Sequence, residues 1–177
     1  MEGRKGTCVG AIIFLVIVAV IAALAVMYSG IISVAANYPD KAVVAWALST
    51  TRDHSVKRHA SGIPTPALDE AAMIQTGFNH YRSMCKGCHG APGEPDEGGP
   101  MFNPEPPELT EEAGEWQPNE LFWITKNGIR MSAMPAWGPS HSDEEIWAIV
   151  AFMRKLPSMT AAQYQAMDRK TPRRMRP

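Results

Sequence analysis

The sequence has few cysteines, and this scarcity limits the kind of fold it can adopt. Three cysteines occur among 177 residues, so they cannot all pair within one chain, and a disulfide framework is excluded as the basis of the fold. No run of alternating apolar and polar residues is long enough to predict a β-sheet, and no internal repeat is present. The sequence therefore predicts an all-α protein.

Charge is missing from the region after the N-terminus. No charged residue lies between Lys5 and Asp40. Within this region, residues 9–28 are almost entirely apolar and provide the roughly 20 residues that a helix needs to cross a bilayer. The bases Arg4 and Lys5 precede this apolar core, which places the N-terminus in the cytoplasm. We expect a single-pass protein of the bacterial inner (cytoplasmic) membrane, with the rest of the chain in the periplasm.

A cleaved signal peptide is the alternative interpretation of the same segment. The small residues Val34 and Ala36 stand where a cleavage site would be expected. However, the apolar run is longer than the about 7–15 residues of a signal core, which favours a retained anchor. In both interpretations the domain is exported.

Charge is distributed unevenly along the rest of the chain. From Cys85 to Val150 there are three basic and twelve acidic residues, whereas from Ala151 onward there are seven basic residues and one acidic residue. An acidic surface steers encounters with a basic one. Nucleic acid is not an expected partner, because the basic tail accompanies no basic domain.

Changes in amino-acid composition along the sequence divide the chain into four parts. We predict a membrane anchor at 1–36, a juxtamembrane helical connector at 37–65, a main domain at 66–157 and a C-terminal extension with a basic tail at 158–177. In the connector, Trp46 suits a membrane interface or a packed helix face, and the polar stretch 49–60 suits a solvated or headgroup-facing segment. We do not expect His54 or His59, both in that stretch, to bind a metal.

Three helices are expected in the main domain. The first spans residues 69–84, and a short one starts at Pro118 and stops at Gly128. The last begins with the capping box formed by Ser142 and Glu145 and continues to about Leu156. A further turn or two is expected after Thr160. Residues 90–107 are too rich in proline and glycine for regular structure, which predicts an acidic loop.

Residues Cys85-Lys86-Gly87-Cys88-His89 match the attachment pattern of haem c. Cys85 and Cys88 can add to the two haem vinyl groups, and His89 is then delivered to the iron. A zinc site would need further ligands, and a dithiol redox pair would need a strand–helix context. The pattern therefore favours one covalent haem c, with His89 as an axial ligand.

The other axial position has several candidates among the methionines and histidines. Met134 is the favoured one, because Pro135-Ala136-Trp137-Gly138 follows it in a loop that can extend across a haem. Met131 comes next and His141 third. We expect a backbone carbonyl between Asn103 and Pro107 to accept a hydrogen bond from His89. Arg130, Trp123 and Trp137 are weak candidates for contacts with the haem propionates.

Motif order between residue 66 and residue 156 resembles that of class I cytochromes c. The resemblance is carried by Gly77 and Tyr81 before the Cys-x-x-Cys-His-Gly run, then Asn127-Gly128-Ile129, then Met134-Pro135, and finally the helix containing Trp147. It implies a small all-α domain of three to five helices around one haem. It also implies that the first and last helices cross, with Gly77 allowing close approach to Trp147.

This resemblance implies a membrane-anchored monohaem cytochrome of the bacterial type that carries single electrons between respiratory or photosynthetic redox partners. It implies an electron-transfer protein rather than an enzyme. A fixed haem subunit of a larger respiratory complex is the nearest alternative, and a haem sensor or peroxidase is a more distant one. Expected partners are redox proteins or a membrane respiratory complex.

Overall fold

A computed structural model describes residues 2–35 and 37–170 of the chain. Among these residues there are eight α-helices, two short 3-10 helices and no β-strand, which confirms the all-α prediction. Ala36 and the tail from residue 171 onward, including Arg173, lie outside the described residues, as do the side chains of residues 2–8 and of Lys170. The chain divides into two units, residues 1–35 and residues 36–177.

The first unit consists of one long helix, α1 (Glu2–Ser29). Its segment Val9–Ser29 has 21 residues and a mean hydropathy of 3.2. Its side chains are exposed along this length. The helix is therefore long and apolar enough to cross a membrane, as the sequence predicts.

The second unit begins with α2 (Ala42–Ala60), which is one continuous helix of 19 residues. We expected its second half to be a solvated or headgroup-facing segment, but Val56 and Ala60 are buried there. The carbonyl of Ala60 accepts a hydrogen bond from Asn119 Nδ2 at 2.9 Å. This half of α2 therefore packs against α6. The two buried residues are four positions apart and so lie on the same side of the helix.

The centre of the second unit is the crossing of α3 (Ala71–Met84) and α7 (Asp143–Met153). Gly77 allows this approach, because a Cβ there would lie 1.8 Å from the carbonyl oxygen of Ala148 and 2.9 Å from Phe152 Cβ. The expected partner, Trp147, instead stacks on Phe122 with ring centroids 4.2 Å apart. Trp147 and Ala148 differ by about 100° around the helix, and it is Ala148 that faces α3.

Helix α6 (Pro118–Asn127) packs against both α2 and α7. It starts at Pro118 and ends at Gly128, whose φ of 67° is a left-handed conformation suited to glycine. The predicted capping box of α7 is present, with Glu145 N donating to Ser142 Oγ and Ser142 N donating to Glu145 Oε2. These helix boundaries thus follow from local sequence signals.

Three shorter helices complete the unit: α4 (Lys86–His89), α5 (Leu109–Glu112) and α8 (Ala161–Lys170). In α8, which is longer than the turn or two expected, Tyr164 is buried and lies edge-on against Phe78. Arg82 of α3 is also buried and forms an ion pair with Asp168. The α8 helix therefore covers the side of α3 with both apolar and ionic contacts.

Candidate functional site

The two cysteines and the histidine of the Cys-x-x-Cys-His pattern lie on a single helical turn. Helix α3 ends at Met84, and α4 follows after one residue. The amides of Cys88 and His89 donate to the carbonyl of Cys85 at 3.1 and 3.0 Å. Gly90, with a φ of 65°, then ends the turn. The structure therefore brings together three of the four residues predicted to hold a haem.

Cys85 and Cys88 are both free thiols, Cys85 buried and Cys88 half-buried. Burial, followed by the proximity of Cys88, raises the pKa of the Cys85 thiol to about 12. Dithiol redox pairs depend on a lowered thiol pKa, so this environment does not suit that alternative. Among the residues that the structure describes, no group of three or more His, Cys, Asp or Glu is placed to hold a metal ion.

The His89 ring is oriented by a hydrogen bond that it donates to the loop that precedes α5. Its Nδ1 lies 2.8 Å from the carbonyl oxygen of Pro107. A carbonyl can only accept, so Nδ1 carries the proton and Nε2 keeps its lone pair. Burial lowers the pKa of His89, although the Pro107 bond and the charge of Asp96 act in the opposite direction. A neutral imidazole with a free Nε2 is the form that ligates iron.

Contacts that the sequence did not indicate hold the turn in place. Lys86 Nζ pairs with Glu94 Oε2 at 2.7 Å, and Gly98 N donates to the carbonyl of Gly87 at 2.9 Å. The buried hydroxyl of Tyr81 donates to the carbonyl of Gly90 at 2.7 Å. These bonds join the acidic loop to the turn, and no regular spacing in the sequence signals them.

Met134 lies in the loop between α6 and α7, apart from the cysteine turn in sequence. Its carbonyl accepts a hydrogen bond from Ile129 N at 3.2 Å, and its amide donates one to Ser132 Oγ at the same distance. Trp137 N also donates to the carbonyl of Thr125 at 3.1 Å, which ties the loop to the end of α6. The backbone at Met134 is thus held on both sides.

The two lesser axial candidates have different surroundings. Met131 is 79% exposed and has a φ of 62°. The His141 ring lies edge-on to His80, with centroids 5.3 Å apart, and its Nδ1 is 2.9 Å from Ser140 Oγ. Met134 and His141 are both half-buried, whereas the Met131 side chain is open to solvent.

The weak propionate candidates also differ from one another. Trp123 stacks on His59 at 5.5 Å between centroids, and Trp137 lies edge-on to His141 at 5.4 Å. Arg130 is exposed. Both tryptophans therefore have packing partners that account for their positions.

Comparison with known families gives one match. Residues 72–153 match the family model described as "Cytochrome C oxidase, cbb3-type, subunit III". No curated protein and no solved structure matches the chain. The matched segment contains the cysteine turn and Met134, and it extends from the start of α3 to the end of α7. Over residues 72–153 the chain is therefore similar to a cytochrome c family, and this similarity indicates haem binding.

Proposed function

We propose that the chain is a membrane-anchored monohaem c-type cytochrome, which carries single electrons between respiratory or photosynthetic redox partners on the periplasmic side. In this proposal Cys85 and Cys88 hold one haem covalently. His89 and Met134 are the two axial ligands of its iron. The residues fit such a group, because two thiols and a free imidazole nitrogen lie on one turn.

The observation that carries the proposal is the bond from His89 Nδ1 to Pro107. It fixes the tautomer and the plane of the ring, so that Nε2 is presented in one direction relative to the thiols on the same turn. An axial ligand requires this fixed orientation, and His89 lies on the same turn as both thiols. The neutral form, favoured by burial, keeps the nitrogen available.

A haem bound here supplies reversible one-electron chemistry at iron. Ligation by His89 and Met134 would occupy both axial positions and favour a higher reduction potential than two histidines give. Because no axial position would then be open, the same arrangement disfavours gas binding and peroxide chemistry. The role supported best is therefore electron transfer rather than catalysis or sensing.

Anchoring through α1 determines where the transfer takes place. Arg4 and Lys5 precede the apolar segment, and positive residues remain preferentially in the cytoplasm. The second unit would then lie in the periplasm. A tether of this kind raises the effective concentration of the domain near partners in the same membrane.

A potentiometric titration of the full chain in mild detergent tests this function. We expect a single reversible one-electron transition in the haem absorption, and a reduced spectrum that carbon monoxide does not alter. Rapid carbon monoxide binding to the reduced wild-type protein would contradict the proposal and favour a sensor or peroxidase.

A fixed haem subunit of a larger respiratory complex is the second candidate, and the name of the matched oxidase family favours it. Mild detergent extraction followed by native electrophoresis separates the two candidates. A free carrier migrates as a small species, whereas a fixed subunit co-migrates in constant proportion with the other subunits of an oxidase.

A further inference from the structure

The two halves of α2 have different surroundings. The second half is seated on α6 through Val56 and Ala60, both buried. The first half, residues 42–48, contains only apolar residues, and all of them are exposed. Trp46, for example, is 66% exposed. An apolar patch of this kind marks an interaction surface.

The dimensions and flanks of this half-helix fit a bilayer surface. From residue 42 to residue 51 there is no charge, and this length corresponds to about 15 Å of helix. A second crossing would need about 30 Å, so the segment is suited to the interface and not to the hydrocarbon core. Tyr38 and Trp46 are the aromatic types found at interfaces, and Lys41 and Arg52, on either side, suit anionic headgroups.

The position in the chain favours lipid over a protein groove. Only residues 30–41 separate α1 from α2, so any bilayer that α1 crosses is within reach of α2.

We propose that Tyr38 and residues 42–48 of α2 lie in the headgroup region of the bilayer that α1 crosses, as a second membrane contact. This inference rests on the membrane anchoring proposed above. With this second contact, the second unit could not rotate freely about residues 30–41, which join it to α1.

A hydrogen bond links the proposed membrane contact to the loop beside the haem site, so the contact would also orient that site. Asn103 Nδ2 donates to the carbonyl of Tyr38 at 3.0 Å. Asn103 belongs to the loop that ends at Pro107, the residue bonded to His89. Met101 and Phe102, directly before it, are exposed apolar residues. The loop beside the haem ligand would therefore be held close to the membrane surface.

Site-directed spin labelling of the full chain in phosphatidylcholine and phosphatidylglycerol vesicles tests the proposal. Single cysteines are introduced into a Cys8→Ser parent as Val20→Cys in α1, Val44→Cys and Leu48→Cys in the proposed contact, and Lys57→Cys as the matched control on the same helix. All four positions are exposed. The parent without an added cysteine gives the background, and an unchanged haem spectrum verifies folding.

Power saturation compares accessibility to oxygen, which concentrates in lipid, with accessibility to a water-soluble nickel complex. We expect the oxygen-to-nickel ratio at positions 44 and 48 to exceed that at position 57 severalfold, with position 20 highest.

Each other outcome has a distinct meaning. If position 20 is in lipid but positions 44 and 48 resemble 57, the second contact is refuted and the anchor stands. If position 20 is accessible to nickel, both anchor and contact are refuted. If positions 44 and 48 are shielded from both reagents, the surface is covered by protein, and the lipid contact is refuted.

Discussion

His89 Nδ1 donates a hydrogen bond to the carbonyl oxygen of Pro107 across 2.8 Å. This bond joins the turn that carries both cysteines to the end of a loop of irregular structure. It leaves Nε2 as the only ring nitrogen available to a metal. The relationship explains why a loop rich in proline lies next to the cysteine turn: proline restricts the backbone and so holds the acceptor in place.

Replacing Met134 by alanine tests the second axial ligand. We expect the Met134→Ala protein to lose the absorption band of the methionine–iron bond. Its reduction potential should fall by a sizeable part of the about 0.8 V range that axial ligands control, since a weaker ligand would replace the thioether. The matched control is Met131→Ala, on the same loop and 79% exposed. An unchanged Met134→Ala spectrum, or the loss of the band in the control, would refute the assignment.

Gly77→Ala tests the crossing of α3 and α7. The added methyl group would lie 1.8 Å from the carbonyl oxygen of Ala148, so the helices must separate. We expect the free energy of unfolding to fall by about 1–3 kcal/mol or more, as for other overpacked cores. Gly62→Ala is the control, because a Cβ there meets nothing within 4 Å, and its effect should stay within about 0.5 kcal/mol. Chemical denaturation measures both, and equal effects would contradict the close crossing.

His80 should make stability depend on pH. Burial lowers the pKa of His80, the neighbouring His141 lowers it further, and Glu145 opposes them. The folded state therefore binds a proton less readily than the unfolded state, whose histidine pKa is about 6.5. The stabilising effect of neutral His80 is complete above that pH and is lost as the pH falls from it towards the lowered folded pKa.

Denaturation at pH 5 and pH 8 measures this effect. We expect the difference in unfolding free energy between the two pH values to shrink in His80→Gln, while His54→Gln, at an exposed position, leaves it unchanged. An equal pH dependence in wild type and His80→Gln would show that His80 does not contribute.

The acidic segment, residues 94–115, should steer charged redox partners. It contains eight acidic and no basic residues. Glu94 is paired with Lys86. Six of the other carboxylates are exposed, namely Glu97, Glu105, Glu108, Glu111, Glu112 and Glu115. We expect oxidation of the reduced protein by a cationic ruthenium complex to slow as salt rises, and oxidation by ferricyanide to quicken, because screening weakens attraction and repulsion alike.

A variant with glutamine at all six exposed positions should lose most of this salt dependence. Glu70→Gln, outside the segment, is the control. Salt dependence that is the same in the six-glutamine variant and in wild type would place the steering charge elsewhere.

Structural features that depend on a few neighbouring residues were predicted from the sequence. The cysteine turn, the capping box at Ser142 and the stop at Gly128 each depend on residues within a few positions of one another. Contacts between distant segments were not predictable in the same way. The region 103–107 was expected to supply the acceptor for His89, but only the folded loop identifies Pro107.

The other differences between the sequence-based expectations and the structure have a similar cause. The backbone nearest to Gly77 is that of Ala148, whereas the resemblance implied Trp147, because the order of motifs does not define the rotation of a helix to within one residue. The packing of α2 depends on Val56 and Ala60 within a polar stretch, and two apolar residues are too few to produce a clear periodic signal.

The central claim, a single haem bound through Cys85 and Cys88, is tested most directly by the intact mass of the denatured protein. We predict a mass equal to that of the polypeptide plus one haem, with both thiols unavailable to alkylation. The double variant Cys85→Ala and Cys88→Ala should have the mass of the polypeptide alone. A wild-type mass without haem, together with two alkylated thiols from these positions, would contradict the account.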